Sequence, residues 1–407
     1  MISSSFFEKI YYKLLLIISI GIGLQISVYK IGLIALFLAC IFHENFFRRF
    51  YNLKINKYAI VLLGIFFLYL MSLLWSENYV FAIKDLILKS PLLLFPLILS
   101  TQHKINRNQQ NNIFLGFLIS SLVINIVCFV LAFLRYNQTG EINVFFYKNL
   151  TINMHTSYQA MFTTFSIVLS VYLIDSEKKS RYLYFIIFIQ ILFLLLLCAR
   201  MQILIIFTLL LIYILVRLYL NKKFIKGFLW VTLIIFSTQL IISIPSPLKF
   251  RYDKSKKIIT DYTFDDGRKV IWNNGLKLIK ENLLFGVGAG DIKMEFEKNV
   301  NNDESLNEQE KNLYLNRKYN LHNQYLQTFA TIGIIGLFLL LYIIIHPGFF
   351  YLSKRNYLQV VFLVIMSASF LTESILERQA GVSFFSFFYS VLIILPMNDN
   401  KSFLDAY

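Results

Sequence analysis

Twelve apolar runs, each near the length of a membrane crossing, divide this chain and leave it few folds. They are residues 11–27, 31–42, 58–75, 86–100, 113–134, 157–174, 182–198, 201–220, 224–244, 325–345, 357–371 and 382–395. A helix needs about 20 apolar residues to cross about 30 Å of hydrocarbon. Inside a bilayer only helices and closed barrels satisfy their backbone groups. Runs of this length without alternation predict an all-α polytopic membrane protein of about 12 transmembrane helices. Composition agrees: 57% of residues are hydrophobic and 15% charged, where a soluble protein carries about 25% charged. A soluble core of this size would split into domains rather than bury so much apolar surface.

The net charge of +16 is a topology signal and does not point to nucleic acid, because the basic residues cluster in short loops. Arg48, Arg49, Lys54 and Lys57, then Lys104 and Arg107, Lys178, Lys179 and Arg181, Arg217, Lys222, Lys223 and Lys226, and finally Lys354 and Arg355 mark one side. The other side's short loops carry only Lys30, Lys84, Arg135, Lys148, Arg200 and Arg378. The alternation places both termini in the cytoplasm. The basic N-terminus, Lys9 and Lys13 before residues 14–20, is expected to be a retained first helix, since no small-residue cleavage site follows. Cys40, Cys128 and Cys198 all lie within apolar runs, so no disulfide framework is implied.

The expected organisation is 1–244 for helices one to nine, 245–321 for a large outer loop, and 322–407 for the last three helices and a cytoplasmic tail. Within the loop, Asp266 can cap a helix from about Arg268 to Glu281, with Trp272, Leu276, Ile279 and Leu283 along an apolar stripe. Gly286-Val-Gly-Ala-Gly290 reads as a turn that breaks it; the spacing matches neither a Rossmann nor a P-loop motif. Asp291 can cap a second helix to about Lys298, and the polar stretch 301–311 reads as a flexible surface segment. These short amphipathic helices are expected to lie on the membrane surface or over the helix bundle.

The residues able to carry chemistry gather at the outer face. His322 opens the run Leu321-His-Asn-Gln-Tyr-Leu-Gln327 and is expected in the first turn of a helix. The helix dipole there favours a neutral imidazole able to act as a base, and the first-turn N–H groups can bind an anion. The plainer alternative is an interfacial histidine anchoring a helix end. Arg200, in a turn between two very apolar runs, is either a functional cation or an arginine reaching to lipid headgroups. Arg268 follows Asp265-Asp-Gly267 and opens the loop helix; it is a phosphate ligand or a solvated partner of those carboxylates. His155, in Asn153-Met-His-Thr-Ser-Tyr-Gln159, lines the same site or is a polar loop residue. Two arginines and a histidine on one face suit a diphosphate, since the guanidinium fork binds phosphate oxygens in pairs. The five scattered histidines and a first outer loop without a carboxylate give no metal site and no cofactor.

Three stretches resemble the O-antigen ligase family of bacterial envelope enzymes and its related polymerases. The first is Gly267-Arg-Lys-Val-Ile-Trp272 through Lys280-Glu-Asn-Leu-Leu-Phe-Gly-Val-Gly-Ala-Gly290. The second is His322-Asn-Gln-Tyr-Leu-Gln327 with Gly333 and Gly336. The third is Cys198-Ala-Arg-Met201, where Cys-Ala stands in place of the family's usual small polar residues. The resemblance implies a GT-C-like bundle in the bacterial inner membrane with a periplasmic loop, and a metal-independent glycosyltransferase.

The implied reaction moves a glycan from undecaprenyl diphosphate to an acceptor sugar, the lipid A-core of lipopolysaccharide. By position, His322 would act on the acceptor hydroxyl, with Arg268 and Arg200 on the diphosphate. His155, Gln324, Tyr325 and Gln327 are candidate substrate-binding residues. The alternatives are an O-antigen or other surface-polysaccharide polymerase and, less in keeping with spans almost free of charge, a lipid-linked oligosaccharide flippase.

Overall fold

The computed structural model describes residues 4–42, 56–101, 105–152, 154–177, 181–221, 268–317 and 320–397. Among them every regular element is a helix. In chain order these are α1 (Ser4–Leu24), α2 (Val28–Ile41), α3 (Lys57–Met71), α4 (Tyr79–Lys89), α5 (Pro91–Thr101), α6 (Arg107–Thr139), α7 (Thr156–Glu177), α8 (Arg181–Leu196) and α9 (Arg200–Asn221). There follow α10 (Arg268–Glu281), α11 (Ile292–Asn301), α12 (Glu308–Arg317), α13 (Gln324–Ser353), α14 (Tyr357–Thr372) and α15 (Gln379–Tyr389). Lys57–Leu74, Arg107–Thr139, Thr156–Ser176 and Gln324–Ser353 are long and apolar enough to cross a membrane, and five further apolar helices are shorter. The partition into twelve spans is a sequence expectation. The ninth run, the first part of the long loop with Asp265 and Asp266, and most of the basic residues read as topology signals lie outside the described residues.

The chain forms two units, residues 1–117 with 267–407, and residues 118–266. In the first, α15 is buried on every side from Gly381 onward. Phe384, Phe385, Phe387, Phe388 and Tyr389 are fully covered, as expected of a predominantly apolar helix in a core. Its rings meet Phe95 at 5.3 Å, Phe117 at 4.8 Å and Phe362 at 6.4 Å. It continues through a π-helical turn, Ser390–Ile394. The Ile394 carbonyl accepts from Asn56 Nδ2 at 2.8 Å and the Ile393 carbonyl from Tyr351 Oη at 3.0 Å, so the end of this helix leaves neither carbonyl unmet.

Two expected spans are interrupted. The run 86–100 breaks at Ser90, between α4 and α5, because Pro91 has no N–H and a fixed φ suited to a first helical position. The run 325–345 lengthens into α13, which bends where Ile332 (φ −126°) and Gly333 (φ 72°, ψ −170°) leave helical geometry.

The loop helices build a small core of their own against the start of α13. Ile271, Leu278, Ile279, Val287, Phe296, Val300, Leu321 and Ala330 are buried together. The buried side of α10 is thus Ile271, Asn274, Gly275, Leu278 and Ile279, whereas Leu276 and Leu283 of the expected stripe are exposed. The reason is close approach: Gly275 presents no Cβ to Leu321, and that contact sets the rotation of the helix. Residues 301–311, expected to be flexible, carry local structure. Asp303 accepts from the Ser305 hydroxyl at 2.6 Å and from Asn274 Nδ2 at 2.9 Å. Asn307 and Glu310 then form reciprocal bonds, 2.9 and 3.0 Å, that open α12 as a capping box.

Gly286–Gly290 is more than a turn. Val287 N donates to the Ala330 carbonyl and Gly288 N to the Thr331 carbonyl, both at 2.9 Å, and Ile334 N donates to Leu283 O at 2.9 Å. These bonds use the groups released by the bend in α13. On its other side the segment reaches the end of α3: Ala289 N meets Ser72 Oγ and Gly290 N meets Ser76 Oγ, each at 3.1 Å. Glycine is required at this approach, since a Cβ on Gly288 would overlap Ser76 Oγ. Asp291, expected to cap α11, makes no side-chain cap there. Its carboxylate instead accepts from Glu77 N at 2.7 Å and Asn78 N at 2.9 Å. Two N–H groups before α4 compete better for it than one helix start.

In the second unit α7, α8, α9 and the remainder of α6 share a core containing Cys128, Ile167, Phe193, Leu194 and Ile206. Amides bind the helices across it. Asn125 Nδ2 donates to Gln190 Oε1 at 2.6 Å and to Thr163 Oγ1 at 3.0 Å, and Gln159 Nε2 donates to Asn125 Oδ1 at 2.9 Å. Such bonds join helices where burial in lipid gives no net hydrophobic drive.

Candidate functional site

The site is built where α10, the start of α13 and the end of α14 converge in the first unit. Asn323 caps α13, its Oδ1 accepting from Tyr325 N and Leu326 N. His322 therefore precedes the helix rather than occupying its first turn, and its backbone is left-handed, φ 46°. A non-glycine residue in this region is strained by about 1–3 kcal/mol and persists only where its surroundings fix it. Here they do: His322 N donates to Asn320 Oδ1 at 3.0 Å, Leu321 N donates to Gln327 Oε1 at 3.0 Å, and Trp272 Nε1 donates to the Leu321 carbonyl at 3.0 Å.

The imidazole of His322 faces Glu373, Nδ1 to Oε2 at 3.1 Å. The two side chains are 26% and 12% exposed, so solvent screens the pair only partly. Arg268, half-buried at the first position of α10, donates from Nη2 to the Thr372 carbonyl at 3.3 Å. Asn323 Nδ2 donates to the Leu371 carbonyl at 3.3 Å. Three successive residues at the end of α14 thereby support the histidine, the arginine and the helix cap.

Of the expected site residues, His322 and Arg268 meet on adjacent positions of the chain, Glu373 and Thr372. Gln324 and Gln327 are buried and bond to the protein itself. Gln324 Oε1 accepts from Leu376 N at 2.6 Å and Gln327 holds Leu321. Tyr325 Oη is 2.9 Å from Ser367 Oγ. Arg200 and His155 belong to the second unit. Arg200 is half-buried and opens α9 directly after a tight turn in which Cys198 has φ 50°. His155 is exposed, its carbonyl receiving the first N–H groups of α7 from Tyr158 and Gln159.

Sequence reading missed Glu373. It also missed a buried ion cluster on the neighbouring residues. Lys89, with no exposed surface, lies 2.6 Å from Asp85 and 3.2 Å from Glu377, and over the Tyr69 ring at 4.4 Å. Burial pushes the Glu377 carboxyl above the usual carboxylate range, Lys89 opposes this, and Asp85 adds to it. The only signal was that Glu373 and Glu377 stand in a short loop between two apolar runs. Among the described residues no group of three His, Cys, Asp or Glu side chains could hold a metal ion. An open apolar groove of about 770 Å³, lined by Phe338, Tyr342, Ile345 and His346 among others, lies in the other half of α13, roughly 20 Å or more along the axis from His322 at 1.5 Å per residue.

Residues 164–341 match the family model described as O-Antigen ligase, which supports membership of that family. The matched stretch contains Arg200, Arg268 and His322 and ends before Glu373. Among curated proteins, an uncharacterized protein of Haemophilus influenzae is 30% identical over 154 residues, 34% of this chain and 36% of that protein. The chain thus spans about a third of the length of the curated relative it matches.

Proposed function

We propose that this protein is an inner-membrane glycosyltransferase of the O-antigen ligase type. It transfers a glycan from undecaprenyl diphosphate to a sugar hydroxyl of the lipid A-core at the periplasmic face, without a metal ion. The observation that carries the reading is the seating of Arg268 and His322 on successive residues, Thr372 and Glu373, within a chain whose family match is to ligases.

The acceptor hydroxyl oxygen attacks the anomeric carbon of the donor. The anomeric C–O bond to the diphosphate breaks, its electron pair leaves with undecaprenyl diphosphate, and the hydroxyl proton passes to Nε2 of His322. Because the leaving group is already a diphosphate, the protein's contribution is to place the reactants and neutralise charge as the bond breaks. Arg268 offers a planar fork to the phosphate oxygens. Gln324, Tyr325 and Gln327 hold the start of α13 in place.

The test uses the purified protein in proteoliposomes with lipid-linked glycan and core lipid. His322→Ala should fold and bind donor yet fail to transfer; wild-type transfer would sink the proposal. Arg268→Lys keeps the charge and loses the fork, so transfer should fall by roughly 10-fold or more, and full activity would reduce Arg268 to a helix-end contact. Deletion of the gene should leave core lipid bare while long glycan stays on undecaprenyl diphosphate. Single-repeat glycans on the core would indicate a polymerase instead.

A further inference from the structure

Resting on the transferase reading above, we infer that Glu373 is a positioning residue for the reaction: it holds His322 as the Nδ1–H tautomer, placing the basic lone pair on Nε2. A carboxylate only accepts hydrogen bonds, so the proton in the 3.1 Å contact between His322 Nδ1 and Glu373 Oε2 belongs to the ring. The ring's remaining nitrogen is then the acceptor, the form a general base needs.

The backbone supports this assignment independently. His322 is kept left-handed by its own N–H, which donates to Asn320 Oδ1, and by the preceding Leu321, whose N–H and carbonyl are held by Gln327 and Trp272. An uncapped loop histidine would relax from φ 46°; this one is turned toward α14 and held there. Glu373 is equally fixed. It ends α14 in an extended conformation, its N–H bonded to Ser369 and its carbonyl to Ile375 N, both at 3.0 Å. The backbones of both partners are thus fixed in a segment that also carries Arg268 and the Asn323 cap.

During transfer the proton leaving the acceptor hydroxyl converts His322 to an imidazolium. The charge forms beside the Glu373 carboxylate, in surroundings where the interaction is stronger than in bulk water. No proton moves to Glu373; it orients the ring and stabilises its cation. General-base assistance contributes about 10²–10⁴-fold to a rate, and a partner that sets both tautomer and charge governs a large share of it.

The experiment compares wild type, Glu373→Gln, Glu373→Asp and His322→Ala in proteoliposomes, with ¹⁵N-histidine spectra of the same proteins. His322→Ala identifies the His322 signal by its disappearance. In wild type that signal should report a proton on Nδ1. In Glu373→Gln, whose amide can donate, it should move toward the Nε2–H form. The kcat of this variant should fall on the order of 10²-fold with KM for the lipid-linked donor within about twofold, and Glu373→Asp should recover part of the loss. A wild-type signal of the Nε2–H form overturns the inference whatever the Glu373 variants do. So does a Glu373→Gln protein with wild-type kcat alongside an inactive His322→Ala. If wild type transfers no glycan, it is the transferase reading that fails; if His322→Ala transfers, the role of His322 as base fails; in both cases the spectra still decide the tautomer.

Discussion

Replacing Gly333 by alanine tests the structural logic of the site at its support. Gly333 lies in the bend of α13 with φ 72° and ψ −170°, a combination that essentially only glycine adopts, and holding another residue there costs about 1–3 kcal/mol. Its Cβ would also overlap the Leu284 carbonyl oxygen, so the chain at 283–285 must shift. That shift weakens the bonds Ile334 N to Leu283 O, Val287 N to Ala330 O and Gly288 N to Thr331 O, each worth about 0.5–1.5 kcal/mol. With one or two of them lost, the destabilisation comes to roughly 3–5 kcal/mol, or on the order of 10³-fold in the folded-to-unfolded ratio. Gly348 is a control on the same helix, with nothing within 4 Å of its Cβ position; alanine there should change stability by at most about 1 kcal/mol. The assay is reversible denaturation in mixed micelles, followed by fluorescence. Trp75 packs against Phe285 at 5.8 Å and reports on this junction. If the Gly333→Ala midpoint lies as close to wild type as that of Gly348→Ala, the bend is not held by the Gly286–Gly290 segment and the argument fails.

Two further predictions concern charges near the site. Lys89→Met leaves Asp85 and Glu377 facing each other without their cation, which should cost about 3–5 kcal/mol; substituting apolar residues at all three positions should recover most of it. Equal midpoints for wild type and the single variant would refute this. Asp303 is held below the ordinary carboxylate range, chiefly by the Ser305 hydroxyl, with Asn274 adding to it against the opposing effect of burial. Its contribution is therefore complete above the unfolded value of about 3.9 and fades as pH falls through the lower folded one. The midpoint gap between wild type and Asp303→Asn should hold steady from neutral pH to about 5 and close below about 4; a gap that widens in acid would contradict it.

Local signals in the sequence were legible where the partner lies close in the chain. The helix from Arg268 to Glu281 follows from apolar spacing and is present, whereas α13, expected to hold His322 in its first turn, begins only after the Asn323 cap. Asp291 shows the limit. Any acidic residue before a helix reads as its cap, but this carboxylate serves Glu77 and Asn78, 214 and 213 positions away. The same limit hid Glu373, whose partner His322 is 51 residues distant. It also hid Lys89 within what reads as an ordinary apolar span.

By itself, the sequence determined that the chain is helical and suited to a bilayer, because apolar runs of this length satisfy their backbone only as helices. It also singled out His322 and Arg268 as residues worth chemistry. Tertiary structure alone decided how they are used. It took His322 out of its helix and into a left-handed turn, set it against Glu373, and seated Arg268 one residue away on Thr372. Those outcomes depend on which helix ends meet, and hydropathy and spacing carry no record of that.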